Sequence, residues 1–324
     1  MSTPALTLSD ADVARLRPTL DALCASTDVA ARLSRDPLHW PRRYPDPGDA
    51  EIAGLFASAL AFGRVSLFWP VLTQIVAQMD RWGGPRAWAL ELGPPQADAL
   101  APLIYRWNRG PDWSLLGAAA GRLLRSAGRL GAIVEAAYSP THAHLGPALE
   151  GLILALREAA VAEAPRLGIA ARRFEDLPRG LRTLLPLPSQ GSACKRWNMY
   201  LRWMVRRPGP RAPDGLPAAA DGVDLGLWEL PPARLIIPLD THVSRLSGLL
   251  GLTARPDDSF RTAVEITANL ARFDPLDPVR YDFALAHLGI SGACRGVADP
   301  HTCPTCPLVR DCRIGRVAMS RPAE

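Results

Sequence analysis

The chain has 324 residues, of which 48% are hydrophobic and 21% charged, enough for two modest domains with cores of their own. Its formal charge of +5 is compatible with a polyanionic partner without requiring one. The apolar run at 52–62 is too short to cross a bilayer, and Asp10 and Asp12 stand where a secretory signal would carry positive charge. We therefore expect a cytoplasmic protein with no membrane segment.

Hydrophobic periodicity predicts an all-α protein. No alternating strand pattern with hairpin turns occurs, and several helical patterns begin at capping residues such as Ser9, Asp49 and Asp258. The predicted helices lie near 9–25, 49–62, 66–80, 95–108, 113–127, 146–163, 192–207, 241–251, 258–272 and 278–290.

A helix, a hairpin and a second helix are predicted near 180–207. An amphipathic turn at 180–185 is followed by Pro and Gly breakers up to Gly191, and helical periodicity returns from Ser192. A glycine hairpin before a helix N-terminus presents backbone N–H groups and a positive dipole end, which can hold a DNA phosphate. The alternative is an ordinary connector between helices. The candidate DNA-binding residues here are Ser189, Gln190, Gly191, Arg196, Arg202, Arg206 and Arg207.

Lys195 is the only lysine in the chain, and the other 36 of the 37 basic residues are arginine. A guanidinium stays protonated and cannot act as an amine nucleophile, whereas a Schiff base requires a lysine or a terminal amine. Lys195 is therefore the candidate nucleophile. The alternative is a stray lysine with no chemical role.

Two further features lie between Lys195 and residue 250. The Pro-, Gly- and Ala-rich stretch at 207–221 cannot hold a helix, so we predict an exposed insert. Asp240 follows an apolar strip at 235–239 and precedes helical periodicity from Thr241, which predicts that Asp240 is a helix N-cap.

Four cysteines lie in the C-terminal part of the sequence with the spacing Cys294-x8-Cys303-x2-Cys306-x5-Cys312. Thiolates at such short, unequal spacing suit a metal centre. Disulfides are the weaker interpretation because an intracellular pool keeps thiols reduced. A structural zinc site usually has two separated Cys-x2-Cys pairs, and only one such pair is present, so we favour a [4Fe–4S] cluster with zinc as the alternative.

Residues 239–245 (LDTHVSR) and the cysteine run together resemble the iron–sulfur branch of the helix-hairpin-helix DNA glycosylase superfamily, which includes endonuclease III and the adenine glycosylase. That family carries a hydrophobic-Asp-Thr-His-Val-x-Arg segment and a Cys-x6-Cys-x2-Cys-x5-Cys run, of which only the first gap differs here. The stretch 283–290 also resembles the family's approach to its cluster. The resemblance covers roughly 180–312.

The resemblance implies a two-domain fold with an active cleft between the domains. A helical barrel carrying the hairpin and the insert would span 50–236, and an iron–sulfur cluster domain carrying Asp240 would combine 1–49 with 237–324. The expected protein is a monomer that binds double-stranded DNA containing a lesion and is associated with the nucleoid.

The implied activity is removal of a damaged base from DNA, with an oxidised purine such as 8-oxoguanine as the expected substrate. Asp240 would stabilise the cationic sugar or accept a proton, and attack by Lys195 would add an AP lyase step. The family lysine lies two residues after the closing hairpin glycine, where this chain has Ala193. The sequence therefore leaves open whether Lys195 or water is the nucleophile.

By the resemblance, Arg64 would fill the gap left in the duplex by the extruded nucleotide; the alternative is a solvated arginine after a helix-ending glycine. Trp197, Trp203 and Trp228 could stack on the base, although aromatic residues at helical spacing more often belong to a core. Two other classes stay open: a non-catalytic iron–sulfur protein that binds DNA structures, and a redox sensor. The sequence does not distinguish them from a glycosylase.

Overall fold

A computed structural model describes residues 6–211, 217–292 and 294–320. Apart from three isolated β-bridges, the regular elements of these residues are helices, which confirms the all-α prediction. The α-helices are α1 (Asp10–Ser26), α2 (Val29–Leu33), α3 (Pro47–Leu60), α4 (Val65–Arg81), α5 (Pro85–Glu91), α6 (Pro94–Leu100), α7 (Gly110–Ala127), α8 (Leu130–Ala137), α9 (Gly146–Glu163), α10 (Arg179–Leu184), α11 (Lys195–Val205), α12 (Thr241–Leu250), α13 (Phe260–Leu270), α14 (Asp282–Ile290) and α15 (Arg313–Ser320).

Helices α3 to α11 pack around large buried side chains, among them Phe56, Trp88 and Trp113. Helix α7 lies against α5 and α9, and α3 lies against α5 and α11. A Cβ added at Gly121 of α7 would stand 1.8 Å from the carbonyl oxygen of Ala89 in α5. Glycine is therefore required where these two helices meet, because any side chain would push them apart.

The N-terminal segment and helix α1 contact the C-terminal part of the chain. The backbone N–H of Leu8 donates to Asn269 at 2.9 Å, and Arg15 pairs with Asp311 at 2.7 Å. Asp311 also accepts the Thr19 hydroxyl. The hydrophobic core is continuous from α1 through α14, so the division into two domains stays a prediction.

The helix predicted at 95–108 ends early, at Leu100. Pro102 has no N–H to continue the ladder, and Tyr105 and Asn108 exchange two backbone hydrogen bonds, of 3.0 and 2.9 Å, across a tight turn. Four short helices, α2, α5, α8 and α15, were not predicted, because one or two turns give too few repeats to establish a period.

The predicted exposed insert at 207–221 is only partly exposed. Residues 212–216 lie outside the described residues, while Arg207 and Arg211 are exposed. Ala220 is buried, however, and Asp221 pairs with Arg280 at 3.0 Å. The end of the insert is therefore anchored on the helical body. Within the part of the chain described, no helix is long and apolar enough to span a membrane.

Candidate functional site

Asp240 is the N-cap of α12, as the sequence predicts. The strip at 235–239 is buried and ends in extended backbone, and Asp240 continues it with φ −111° and ψ 176°. Its Oδ1 atom accepts the backbone N–H groups of His242 at 2.9 Å and Val243 at 2.8 Å. These bonds hold the carboxylate at the positive end of the helix, and the residue remains partly exposed.

Lys195 is the first residue of α11, so this helix begins three residues later than predicted. The delay has a local cause: Cys194 adopts left-handed backbone with φ 48°, which interrupts a right-handed helix. The Lys195 ammonium donates to the carbonyl oxygen of Ala61, at 3.1 Å, in the segment that follows α3. Because α11 starts at Lys195, Ala193 lies outside this helix, and the two-residue offset between Ala193 and Lys195 is not a rotation along one helix.

Three carboxylates act on Lys195. Burial lowers the pKa of its ammonium below the ordinary value, and the neighbouring Arg196 lowers it further. The charges of Asp240, Asp282 and Asp36 oppose this shift, in that order of strength. Lys195 and these three carboxylates come from four separate segments of the chain, and no ion pair of 4.0 Å or less joins the ammonium to any of them.

Asp36 and Asp282 differ in their hydrogen bonds. Asp36 pairs with His287 at 3.0 Å through Oδ2 and accepts the Leu38 N–H at 2.8 Å through Oδ1. Asp282 is 3% exposed and pairs with Arg202 through Oδ2. Its Oδ1 atom is buried and has no hydrogen-bonding partner among the described residues.

The predicted phosphate contacts at Arg202 and Arg206 are wrong, because both side chains are buried. Arg202 pairs with Asp224 and Asp282, and Arg206 pairs with Asp224 at 2.5 Å and Asp277 at 2.6 Å. The arginines lie four positions apart on one face of α11 and its end, where they hold the insert and α14 in place. They are structural groups.

Arg196 is also committed within the protein. Its guanidinium donates to the carbonyl oxygens of Ala59 at 2.9 Å and Thr183 at 2.6 Å, and it lies over the ring of Phe62. It therefore joins α10 and α11 to the end of α3 rather than reaching outward for DNA.

The three tryptophans predicted to stack on a base are core residues instead. Trp197, Trp203 and Trp228 are at most 4% exposed. The indole N–H of Trp197 donates to Leu184, and that of Trp228 donates to the buried carboxylate of Glu51. None of them presents a face to a ligand, so the base-pocket assignment was wrong.

The hairpin residues Ser189, Gln190 and Gly191 are exposed, and Gly191 takes the left-handed conformation with φ 86°. Ser189 is already occupied, however. Its backbone N–H donates to Glu150 of α9 at 2.9 Å and its hydroxyl donates to the same carboxylate at 2.6 Å. A carboxylate thus sits on one donor that the sequence assigned to a phosphate.

A surface formed by the half-buried Phe62 and the exposed Arg64, Arg106 and Trp107 follows Ala61, the acceptor of the Lys195 ammonium, and was only partly predicted. Trp107 is 51% exposed and stacks on Phe62 at 5.4 Å, and the guanidinium of Arg106 covers both rings. Arg64 is exposed next to Phe62. Sequence reasoning missed Arg106 and Trp107 because they fall inside the helix that was predicted to continue to residue 108.

The four C-terminal cysteines line one pocket, with an empty volume of about 310 Å³. Burial raises the pKa of the Cys306 thiol, and the charges of Cys294, Cys312 and Cys303 raise it too. No group of three or more Cys, His, Asp or Glu residues in the described ranges is arranged to hold a metal ion. The thiols therefore share a space without converging on a single-ion geometry.

Fold and site together define an all-helical protein with a lysine–carboxylate site and a cysteine-lined pocket. Residues 36–291 match the family described as a protein of unknown function, DUF2400, so this chain belongs to the DUF2400 family. The matched region includes Lys195, Asp240 and Asp282 and ends before the cysteine run. No curated protein and no solved structure matches the chain.

Proposed function

We propose that this protein is a DNA base-excision glycosylase. The observation that carries the proposal is the position of Lys195, whose ammonium donates to Ala61 at 3.1 Å and on which the charge of Asp240, a residue distant in sequence, acts more strongly than that of any other carboxylate. A buried amine with a lowered pKa is the form of lysine that attacks carbon electrophiles. A carboxylate beside it suits a reaction that develops positive charge.

The proposed chemistry uses both groups. The neutral Lys195 amine attacks C1′ of an extruded nucleotide, the bond from C1′ to the base nitrogen breaks, and its electron pair leaves with the base, which takes up a proton. Asp240 stabilises the cationic sugar as that bond breaks. Opening of the sugar then gives an imine with Lys195, from which strand scission by elimination follows.

The surface around the site supports a DNA partner. Trp107, which is 51% exposed, offers part of its ring to an unstacked base, and the exposed Arg64 and Arg106 add positive charge to the same surface. The hairpin at 189–191 is exposed a short distance along the chain from Lys195. An oxidised purine such as 8-oxoguanine remains the first substrate to try.

The cysteine run supports a [4Fe–4S] cluster, with zinc as the alternative metal. A structural zinc site usually has two separated Cys-x2-Cys pairs, whereas Cys294, Cys303, Cys306 and Cys312 contain one such pair and line one pocket, which suits a cluster. When bound, the cluster would supply cross-linking of the C-terminal loop. No step of the reaction is assigned to it.

The test is single-turnover base release from a panel of lesion duplexes. We expect release from at least one lesion by the parent protein and a loss of about a hundredfold or more in Asp240→Asn. Asp257→Asn, a matched charge change at an exposed carboxylate near the start of α13, is the control and should behave like the parent. Absence of release from every lesion, or parent-like release by Asp240→Asn, would contradict the proposal.

A further inference from the structure

The carboxylates around Lys195 are not equivalent. Asp36 has a partner on each oxygen, and the pKa of its carboxyl is lowered by the His287 contact and by the Leu38 N–H, against burial. Asp240 holds two backbone N–H groups on Oδ1 and is partly exposed. Asp282 alone has a buried oxygen, Oδ1, to which no described group donates.

A buried carboxylate oxygen without a donor is costly when ionised and is relieved by a proton. Such an oxygen lies on the side of α11 that carries Lys195. Arg202 lies seven residues after Lys195, two helical turns along the same face, and it fixes the other oxygen of Asp282. Arg202 thereby holds Asp282 on the face of α11 that carries Lys195.

We propose that Asp282 is the proton acceptor for Lys195. One N–H bond of the ammonium breaks and one O–H bond forms on Oδ1 of Asp282 by way of intervening water, because no ion pair of 4.0 Å or less joins the two side chains, and a neutral amine and a neutral carboxylic acid result. The role in base excision rests on the proposed function, whereas the proton exchange itself is a property of the protein alone. Asp240 stays ionised and faces the sugar, so Asp282 accepts the proton and Asp240 stabilises the sugar cation.

Burial raises the pKa of Asp282 to about 6, with the charges of Asp240 and Asp224 raising it and Arg202 lowering it. This shift places its titration where the ionised form can accept a proton at neutral pH. Several charged and titratable groups face Asp282 from the elements packed around it. Helix α11 contributes Lys195, Arg202 and Arg206, and α14 contributes His287. The acidic groups are Asp36, Asp224 and Asp240, with Asp21 and Asp221 around the preceding Arg280 and Tyr281.

The chain offers an unusually direct readout, because Lys195 is its only lysine. Protein grown with lysine labelled with ¹³C at Cε gives one lysine side-chain resonance. In the parent protein we expect the shift of this resonance to change with an inflection near pH 6, the titration of Asp282, separate from the titration of Lys195 itself. Asp282→Asn should abolish the inflection and move the titration of Lys195 to lower pH, because a carboxylate that raised its pKa has gone.

Asp277→Asn is the matched control, since Asp277 pairs with Arg206 in the same ion-pair network and does not figure among the charges acting on Lys195. It should keep the inflection. An inflection that persists in Asp282→Asn, or that is missing from the parent, overturns the proposal. The second outcome needs no variant, so the test survives if Asp282→Asn folds poorly.

Activity separates this inference from the proposed function. Borohydride-trapped adduct formation by the parent should fall below about pH 6, and Asp282→Asn should form adduct about a hundredfold more slowly and lose that acidic limb. An unchanged limb in Asp282→Asn would overturn the assignment of Asp282. If the parent protein forms no adduct and releases no base, the glycosylase proposal is contradicted instead. The pH dependence of the Lys195 resonance then still decides whether Asp282 accepts its proton.

Discussion

Asp240 has two roles at the residue scale, and substitution separates them. As an N-cap it satisfies two backbone N–H groups of α12, and as a carboxylate it acts on Lys195. Asparagine caps a helix about as well as aspartate but carries no charge. The structural role and the proposed chemical role therefore respond differently to two substitutions at this position.

We predict that Asp240→Ala lowers the free energy of unfolding by about 1 kcal/mol through loss of the cap. Asp240→Asn should keep most of that stability while losing base release. Urea denaturation followed by circular dichroism measures the first effect and single-turnover base release the second. If the two variants lost stability equally, the cap would not depend on the side-chain oxygen; if Asp240→Asn kept its activity, the carboxylate would have no chemical role.

The same scale explains why the arginine and tryptophan assignments failed. An arginine that pairs with buried aspartates and one that contacts phosphate look alike in sequence, and the partners of Arg202 and Arg206 come from distant segments. Helical spacing of Trp197 and Trp203 predicts a helix correctly but does not say which face is covered, and both faces of α11 are covered here.

At the scale of elements, a carboxylate of α9 occupies the hairpin position where a phosphate would bind. Glu150 binds both the N–H and the hydroxyl of Ser189, so a phosphate at this position would displace it or be repelled by it. We predict that Glu150→Gln binds duplex DNA about three- to tenfold more tightly than the parent, because a like charge beside the phosphate is removed.

Glu158→Gln provides the control for this prediction, since it removes the same charge from an exposed position of the same helix. Fluorescence anisotropy at two salt concentrations measures both affinities and exposes any effect of net charge alone. Equal affinities for the two variants, or weaker binding by Glu150→Gln, would show that the hairpin at 189–191 does not approach a phosphate through Ser189.

Much of the fold was predictable from periodicity and capping, and less of the site. Nine of the ten predicted helices lie within about four residues of those observed at each end. Asp240 was predicted as an N-cap because an apolar strip precedes it and a helical pattern follows it. The start of α11 at Lys195 depends on the left-handed backbone of Cys194, which no local sequence pattern predicts. The approach of Asp36 and Asp282 to Lys195 is tertiary and could not be read from spacing.

At the scale of the whole molecule, the cysteine-lined pocket joins α15 to the C-terminal loop, while α1 reaches the same region through Asp311. We predict that the purified protein contains iron and sulfide, and that Cys306→Ser loses both and unfolds at a lower temperature, since metal binding contributes folding free energy. Elemental analysis and thermal unfolding measure these changes.

Cys24→Ala is the control for that experiment. Cys24 is buried far along the chain from the cysteine run, and burial raises the pKa of its thiol to about 12, so it is an inert core side chain. Its replacement should keep the full iron content. Iron-free parent protein that contains zinc would support the alternative metal, and parent protein free of all metals would remove the cluster from the account.

The central claim is that Lys195 attacks a sugar carbon with Asp240 beside it, and borohydride trapping on a lesion duplex tests it most directly. Reduction of the imine should leave a covalent DNA adduct, and peptide mass mapping should find it on Lys195, with no adduct in Lys195→Gln. Because the chain has no other lysine, a trapped adduct that persists in Lys195→Gln would have to form on another nucleophile such as the terminal amine, and would contradict the claim.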